Sequence, residues 1–118
     1  MAQSAIEIQE EAAIDRVHLE RMTFGDRSLE REVLELFDRQ SQMLMVRMRA
    51  GGDDAIAPLA HTLKGSASGV GAIRVAAAAD AAEQSVTLSA AECGQAVDRL
   101  AAAVDEARTL IAQLLRQV

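Results

Sequence analysis

The sequence predicts an all-α domain, an antiparallel up-down-up-down four-helix bundle with a short additional N-terminal helix. Half of the 118 residues are apolar, yet only two are phenylalanine and none is tryptophan or tyrosine. Alanine and leucine, both strong helix formers, must therefore fill the core. A single proline interrupts them little, and few segments show the β-branched or aromatic alternation of a strand. Near the C-terminus, Val97, Leu100, Val104, Ala107, Ile111, Leu114 and Val118 recur in steps of three and four. That is the seam of a helix packed in an antiparallel bundle. A chain of this length builds one core, so a single domain is expected over residues 14–118, preceded by a partly frayed extension over 1–13.

The elements follow in order. A short helical segment is expected over 15–24, packed across one end of the bundle, with His18 a surface or helix-end residue. Gly25-Asp26 then opens a long helix over 28–50, whose apolar positions Leu29, Val33, Leu36, Phe37, Leu44 and Met48 recur at helical spacing. Met43, Met45 and Met48 are read as flexible fillers of core gaps, with one at the edge of the stripe available for docking. Gly51-Gly52 ends this helix. Asp53 or Asp54 can cap the next, which runs to about Ser68, and Pro58 suits its first turn. Gly69-Val70-Gly71 is read as a break. An alanine-rich helix follows over 72–86, with Val75, Ala78 and Ala82 at inward positions. Ser89 and Glu92 form a capping box before the final helix.

Bulk properties narrow the function. A net charge of -6 repels a nucleic-acid backbone, and the lack of aromatics removes the platforms on which single strands stack, so no nucleic-acid partner is expected. The one cysteine, Cys93, fits a reducing compartment and reads as a semi-buried small residue. The N-terminal stretch holds Glu7, Glu10 and Glu11 rather than a basic residue followed by an apolar run, and no segment approaches the ~20 apolar residues of a membrane span. The expectation is a cytoplasmic monomer with no membrane association.

The chemistry concentrates in Leu59-Ala60-His61-Thr62-Leu63-Lys64-Gly65-Ser66. On a helical wheel, Ile56, Leu59, Ala60, Leu63 and Ala67 cluster within roughly 100°, which defines a buried face. His61 falls roughly 140° from Ile56, in an outward sector shared with Asp54, Ala57, Lys64, Gly65 and Ser68. Neutral imidazole is a nucleophile near physiological pH, and Lys64 one turn on can neutralise a phosphoryl group as a point charge. Gly65 costs about 1 kcal/mol relative to alanine in mid-helix, but clears the approach of a partner's backbone. On spacing alone, a phosphoryl-carrying histidine and an ordinary exposed helix histidine stand level. A zinc site is not expected, because His18 is the only other histidine and no His or Cys lies one turn from His61. Nor is a hydrolase triad, since Ser66 and Ser68 share the helix of His61 at spacings that do not face it.

The run from His61 through Lys64 and Gly65 to Ala67, followed by Gly71-Ala72, resembles the signature of the histidine-containing phosphotransfer (HPt) domains of bacterial phosphorelays. That signature is His, two further residues, Lys, Gly, and another Gly ten residues after the His. Glu83 matches a Glu or Gln often found on the next helix, and residues 26–37 look like the family's second helix, so the resemblance covers about 14–117. It implies that His61 carries the phosphoryl group on Nε2, with Lys64 beside the phosphate, Gly65 giving access, Glu83 orienting the ring and Ser68 at the periphery. Two departures stand out. Gly69 replaces a residue with a side chain, which suggests a looser loop, and the fourth helix is poor in leucine.

The implied function is a phosphorelay phosphocarrier, not an enzyme in its own right and without kinase activity. It accepts a phosphoryl group from a receiver-domain aspartyl phosphate or a histidine kinase and passes it to a response-regulator aspartate. A hybrid or separate histidine kinase would act on it, since no ATP-binding or dimerisation segment is visible. This chain would bind no cofactor, and Mg²⁺ would sit in the partner receiver domain. Docking would use an apolar patch drawn from Ile14, Val17 and the second helix. The alternative is a non-phosphorylated four-helix adaptor that docks receiver or kinase domains.

Overall fold

The computed structural model describes residues 13–117. Five helices occur among them and no strand. Helix α1, Arg16–Met22, begins at Asp15, whose carboxylate accepts the His18 backbone N–H at 3.0 Å. It closes where the Thr23 hydroxyl donates to the Leu19 carbonyl at 2.8 Å, and the chain then reverses through two left-handed residues, Phe24 (φ 55°) and Gly25 (φ 71°). Helix α2, Arg27–Ala50, is capped by Asp26, which accepts from the Leu29 N–H at 3.1 Å.

Helix α3, Asp53–Val70, departs from expectation at both ends. Its cap is Gly52, which has no side chain to offer, while Asp53 and Asp54 occupy the first turn and complement the positive end of the helix dipole instead of capping it. Pro58 is not in the first turn but inside the helix, where it gives up the bond its nitrogen would make to Asp54. The expected break at Gly69 does not occur. The helix continues through Gly69 to Val70 and stops at Gly71, whose φ of 81° is the left-handed conformation that favours glycine. A Cβ at Gly71 would also come within 2.9 Å of the Asp15 carbonyl, because the Asp15 N–H donates to the Gly71 carbonyl at 2.7 Å.

Helix α4, Ile73–Ser85, and helix α5, Ala90–Gln117, complete the fold. Ahead of α5 the Glu92 N–H donates to Ser89 Oγ, and the Ser89 hydroxyl donates to the Glu92 carboxylate, both at 3.2 Å. Helix α2 packs on α3, α3 on α4, α4 on α5 and α5 back on α2, while α1 lies against α3. The core they enclose is aliphatic apart from Phe37, its largest fully buried side chain. Truncating Phe37 to alanine would cost about 3–5 kcal/mol.

The α5 stripe is buried from Val97 to Leu114 as the spacing predicts, and Val118 lies outside the described residues. On α2 the buried line runs through Leu34, Phe37, Ser41, Leu44, Met45 and Met48. Leu36 falls off that line and is exposed, as is Met43, so only Met45 and Met48 fill the core. In α4 the innermost residues are Val75, Ala79 and Ala82, with Ala78 partly buried beside them. Ala60 and Ala67 of α3 are also fully covered. Small side chains on both helices let α3 and α4 approach closely.

Between α2 and α5 the residue numbers of polar partners fall on one helix as they rise on the other. Arg31 Nη1 donates to the Leu115 carbonyl, Arg108 Nε to Asp38, and Arg49 Nη2 to Asp98. None of the helices among the described residues is long and apolar enough to cross a membrane. Ala13 and Ile14 are buried, and residues 1–12, most of the expected extension, lie outside the described residues.

Candidate functional site

Ile56, Ala60, Leu63, Ala67 and Val70 bury one face of α3, which turns His61, Lys64, Gly65 and Ser68 outward as the wheel requires. The His61 side chain keeps 67% of its surface exposed. Across the seam, α4 presents Asp80 and Glu83 one turn apart. His61 Nδ1 lies 2.9 Å from Glu83 Oε2, and Lys64 Nζ donates to Glu83 Oε1 at 2.8 Å and to Asp80 Oδ1 at 3.1 Å. One carboxylate thus holds the ring and the ammonium together, and a second takes another of the three lysine donors.

The charges follow from these contacts. The Lys64 hydrogen bond, opposed by burial but aided by the lysine charge and by the contact with His61, holds the Glu83 carboxyl below the usual carboxylate range. Hydrogen bonds to Glu83 and then Asp80 push the Lys64 ammonium above its ordinary value, against a smaller opposing effect of burial. An ionised carboxylate only accepts, so His61 Nδ1 must be the donor to Glu83. In the neutral ring, Nε2 then carries the lone pair. The result is a nucleophilic nitrogen on an exposed ring, steered by a hydrogen bond at the opposite nitrogen, on the face of a long helix.

Gly65 is exposed, and a Cβ built there would meet nothing within 4 Å. The fold itself does not require glycine at this position. Ser68 is exposed two turns beyond His61, roughly 10 Å along the axis, and enters none of the hydrogen bonds that join His61, Lys64, Asp80 and Glu83. The sequence reading missed Asp80. Its signal was available, since Asp80 precedes Glu83 by three residues and so shares its side of α4. It also missed the clasp made by His18, whose Nε2 lies 3.0 Å from the Gly69 carbonyl and ties α1 to the last turn of α3. The looser loop expected at Gly69 is instead helix, held from outside by this contact.

Ile14 cannot belong to a docking patch, because it is fully buried just ahead of α1. Val17 on α1 and Leu36, Met43 and Val46 on α2 are exposed. Among the described residues, no group of three or more His, Cys, Asp or Glu is placed to hold a metal ion.

The Hpt domain family matches residues 28–117, which span α2 to α5 and include the whole His61 cluster. The chain belongs to the Hpt domain family. No curated protein and no solved structure matches it. As an Hpt domain it is a histidine phosphotransfer module of phosphorelay signalling, a class of phosphocarriers that interact with response-regulator receivers and kinases. Asp15 and His18 lie ahead of the matched segment, whereas Gly71 and Gly69, whose carbonyls they contact, lie within it.

Proposed function

We propose that His61 accepts a phosphoryl group on Nε2 from the aspartyl phosphate of one receiver domain and returns it to the aspartate of another. The observation that carries this reading is the Nδ1 contact to Glu83, which leaves Nε2 free on a largely exposed ring. In the accepting step the Nε2 lone pair forms the N–P bond as the P–O bond to the donor aspartate breaks, and the aspartate leaves with that electron pair. The ring gains positive charge while Nδ1 keeps its proton, and the Glu83 carboxylate balances that charge. Lys64 neutralises the incoming phosphoryl oxygens, and the open space at Gly65 admits the partner's backbone. Phosphoryl transfer of this kind depends on positioning and charge neutralisation more than on covalent work by the protein.

Mg²⁺ belongs to the receiver's acidic pocket in this scheme. The bundle is antiparallel and up-down-up-down, a reading supported by the descending contacts between α2 and α5 and by the pairing of His61 and Lys64 with Glu83 and Asp80. The bundle domain spans residues 14–118, a boundary that agrees with the burial of Ile14 just ahead of α1. Docking uses Val17 with Leu36 and Met43, in a contact of modest area suited to rapid exchange.

The test mixes the chain with a phosphorylated receiver and follows acid-labile, base-stable label. Label should move to the wild type and be lost completely in His61→Gln, whose unfolding free energy should stay within about 0.5 kcal/mol of wild type. Equal labelling of the variant refutes the site. Receiver binding without label on the wild type favours the adaptor.

A further inference from the structure

The proposed carrier needs its lysine in two places. With His61 unmodified, Lys64 is engaged on the Nδ1 side of the ring, bound to the same Glu83 carboxylate that accepts from Nδ1 and also to Asp80. A phosphoryl group would be attached at Nε2, on the other side. Lys64 therefore shifts toward the phosphoryl oxygens in the phosphorylated state, and whatever holds it in the resting state opposes that shift. Glu83 belongs to the ring machinery. Asp80 touches neither nitrogen of the ring, and its only contact within this cluster is Lys64.

We infer that Asp80 is a positioning residue that competes with the phosphoryl group for the Lys64 ammonium and so sets how strongly the carrier holds its cargo. This inference rests on the proposed phosphorylation of His61. The local charge count agrees with it. With a neutral ring, the two carboxylates and one ammonium leave an excess negative charge, to which a phosphoryl group adds ≈ −1.5 to −2 more near neutral pH. Asp80 is the more exposed of the two acids, at 55% against 23%, so solvent can take over its charge when the ammonium leaves. The competition is accordingly mild and reversible, as a carrier that must both accept and donate requires.

The prediction is read without a receiver, so its failure is separable from failure of the relay reading. The full chain is phosphorylated chemically with phosphoramidate, and the second ionisation of the phosphohistidine is followed by ³¹P NMR, with His61→Gln identifying the signal. Asp80→Asn should lower the proton affinity of the phosphoryl group by about two- to fivefold, the range expected of an exposed ion pair. Asp80→Glu should behave as wild type. In a Lys64→Ala background, Asp80→Asn should leave the titration nearly unchanged, because Asp80 acts through Lys64. The unfolding midpoint reports whether each variant remains folded. An unchanged titration in Asp80→Asn overturns the inference. So does an equal shift in the Lys64→Ala background, which would mark direct repulsion by Asp80. Absence of any His61 signal overturns both this inference and the phosphohistidine reading, whereas a normal ³¹P result with no receiver transfer overturns only the relay.

Discussion

Among the described residues, charged pairs cross the bundle at three seams; Arg74 and Glu106 join α4 to α5 as a simple pair, and the other two seams are assembled differently from each other. Between α2 and α5, Arg108 meets Asp38 at 2.8 Å and Gln42 at 3.2 Å, while Arg49 meets Asp98 at 3.3 Å. Each of these arginines has one acid across the seam. Between α3 and α4, two carboxylates converge on the single Lys64 ammonium, and one of them also takes the ring of His61. The first seam is balanced in charge and links the first long helix to the last. The second carries negative charge in excess and presents a nucleophilic nitrogen. Similar geometry thus does different work, according to whether the charges balance and whether a titratable ring joins them.

The sharpest way to break this contrast is to remove one cation from each seam. Lys64→Ala should slow phosphoryl transfer from a receiver by roughly tenfold with the fold intact. That is less than the loss of a buried transition-state donor, because Lys64 remains partly exposed at 30%. Stopped-flow or quenched labelling checks it, and an unchanged rate removes the role of Lys64. Arg108→Ala should do the reverse. It should lower stability in chemical denaturation by about 1 kcal/mol or less and leave labelling of His61 unchanged. A loss of transfer there would mean that the two seams are coupled.

The smallest effect expected is on acid stability. Glu83 has its folded-state ionisation lowered, chiefly by Lys64. Its contribution is therefore fully present above the ordinary carboxylate value of about 4.3 and is lost as pH falls through the lowered folded value. The stability difference between wild type and Glu83→Gln should be constant above about pH 5 and close in more acid solution. A gap that opens on acidification would contradict the charge assignment at this seam.

The two seams also differed in how well the sequence revealed them. His61, Lys64 and Gly65 lie within five residues of one helix, so helical periodicity alone orients them, and the structure places all three outward. The arginine pairs depend on the register between helices, which spacing along one helix does not set, and Asp80 becomes legible only once Glu83 is placed at the site. Only the family resemblance brought Glu83 into view. Misjudged boundaries share a tertiary cause. Gly69 reads as a breaker, yet α3 continues through it, and His18 reaches the Gly69 carbonyl from 51 positions earlier in the chain. Ile14 looked available for docking because nothing local shows that the chain ahead of α1 turns into the core.

The central claim is that Glu83 holds the proton of His61 on Nδ1 and leaves Nε2 to carry the phosphoryl group. Heteronuclear ¹H–¹⁵N NMR of the histidine rings, recorded before and after labelling by a phosphorylated receiver, tests it most directly. The account predicts the Nδ1–H tautomer of His61 in the free chain and an N–P bond at its Nε2 after transfer. A phosphoryl group on Nδ1, or on His18, would contradict it.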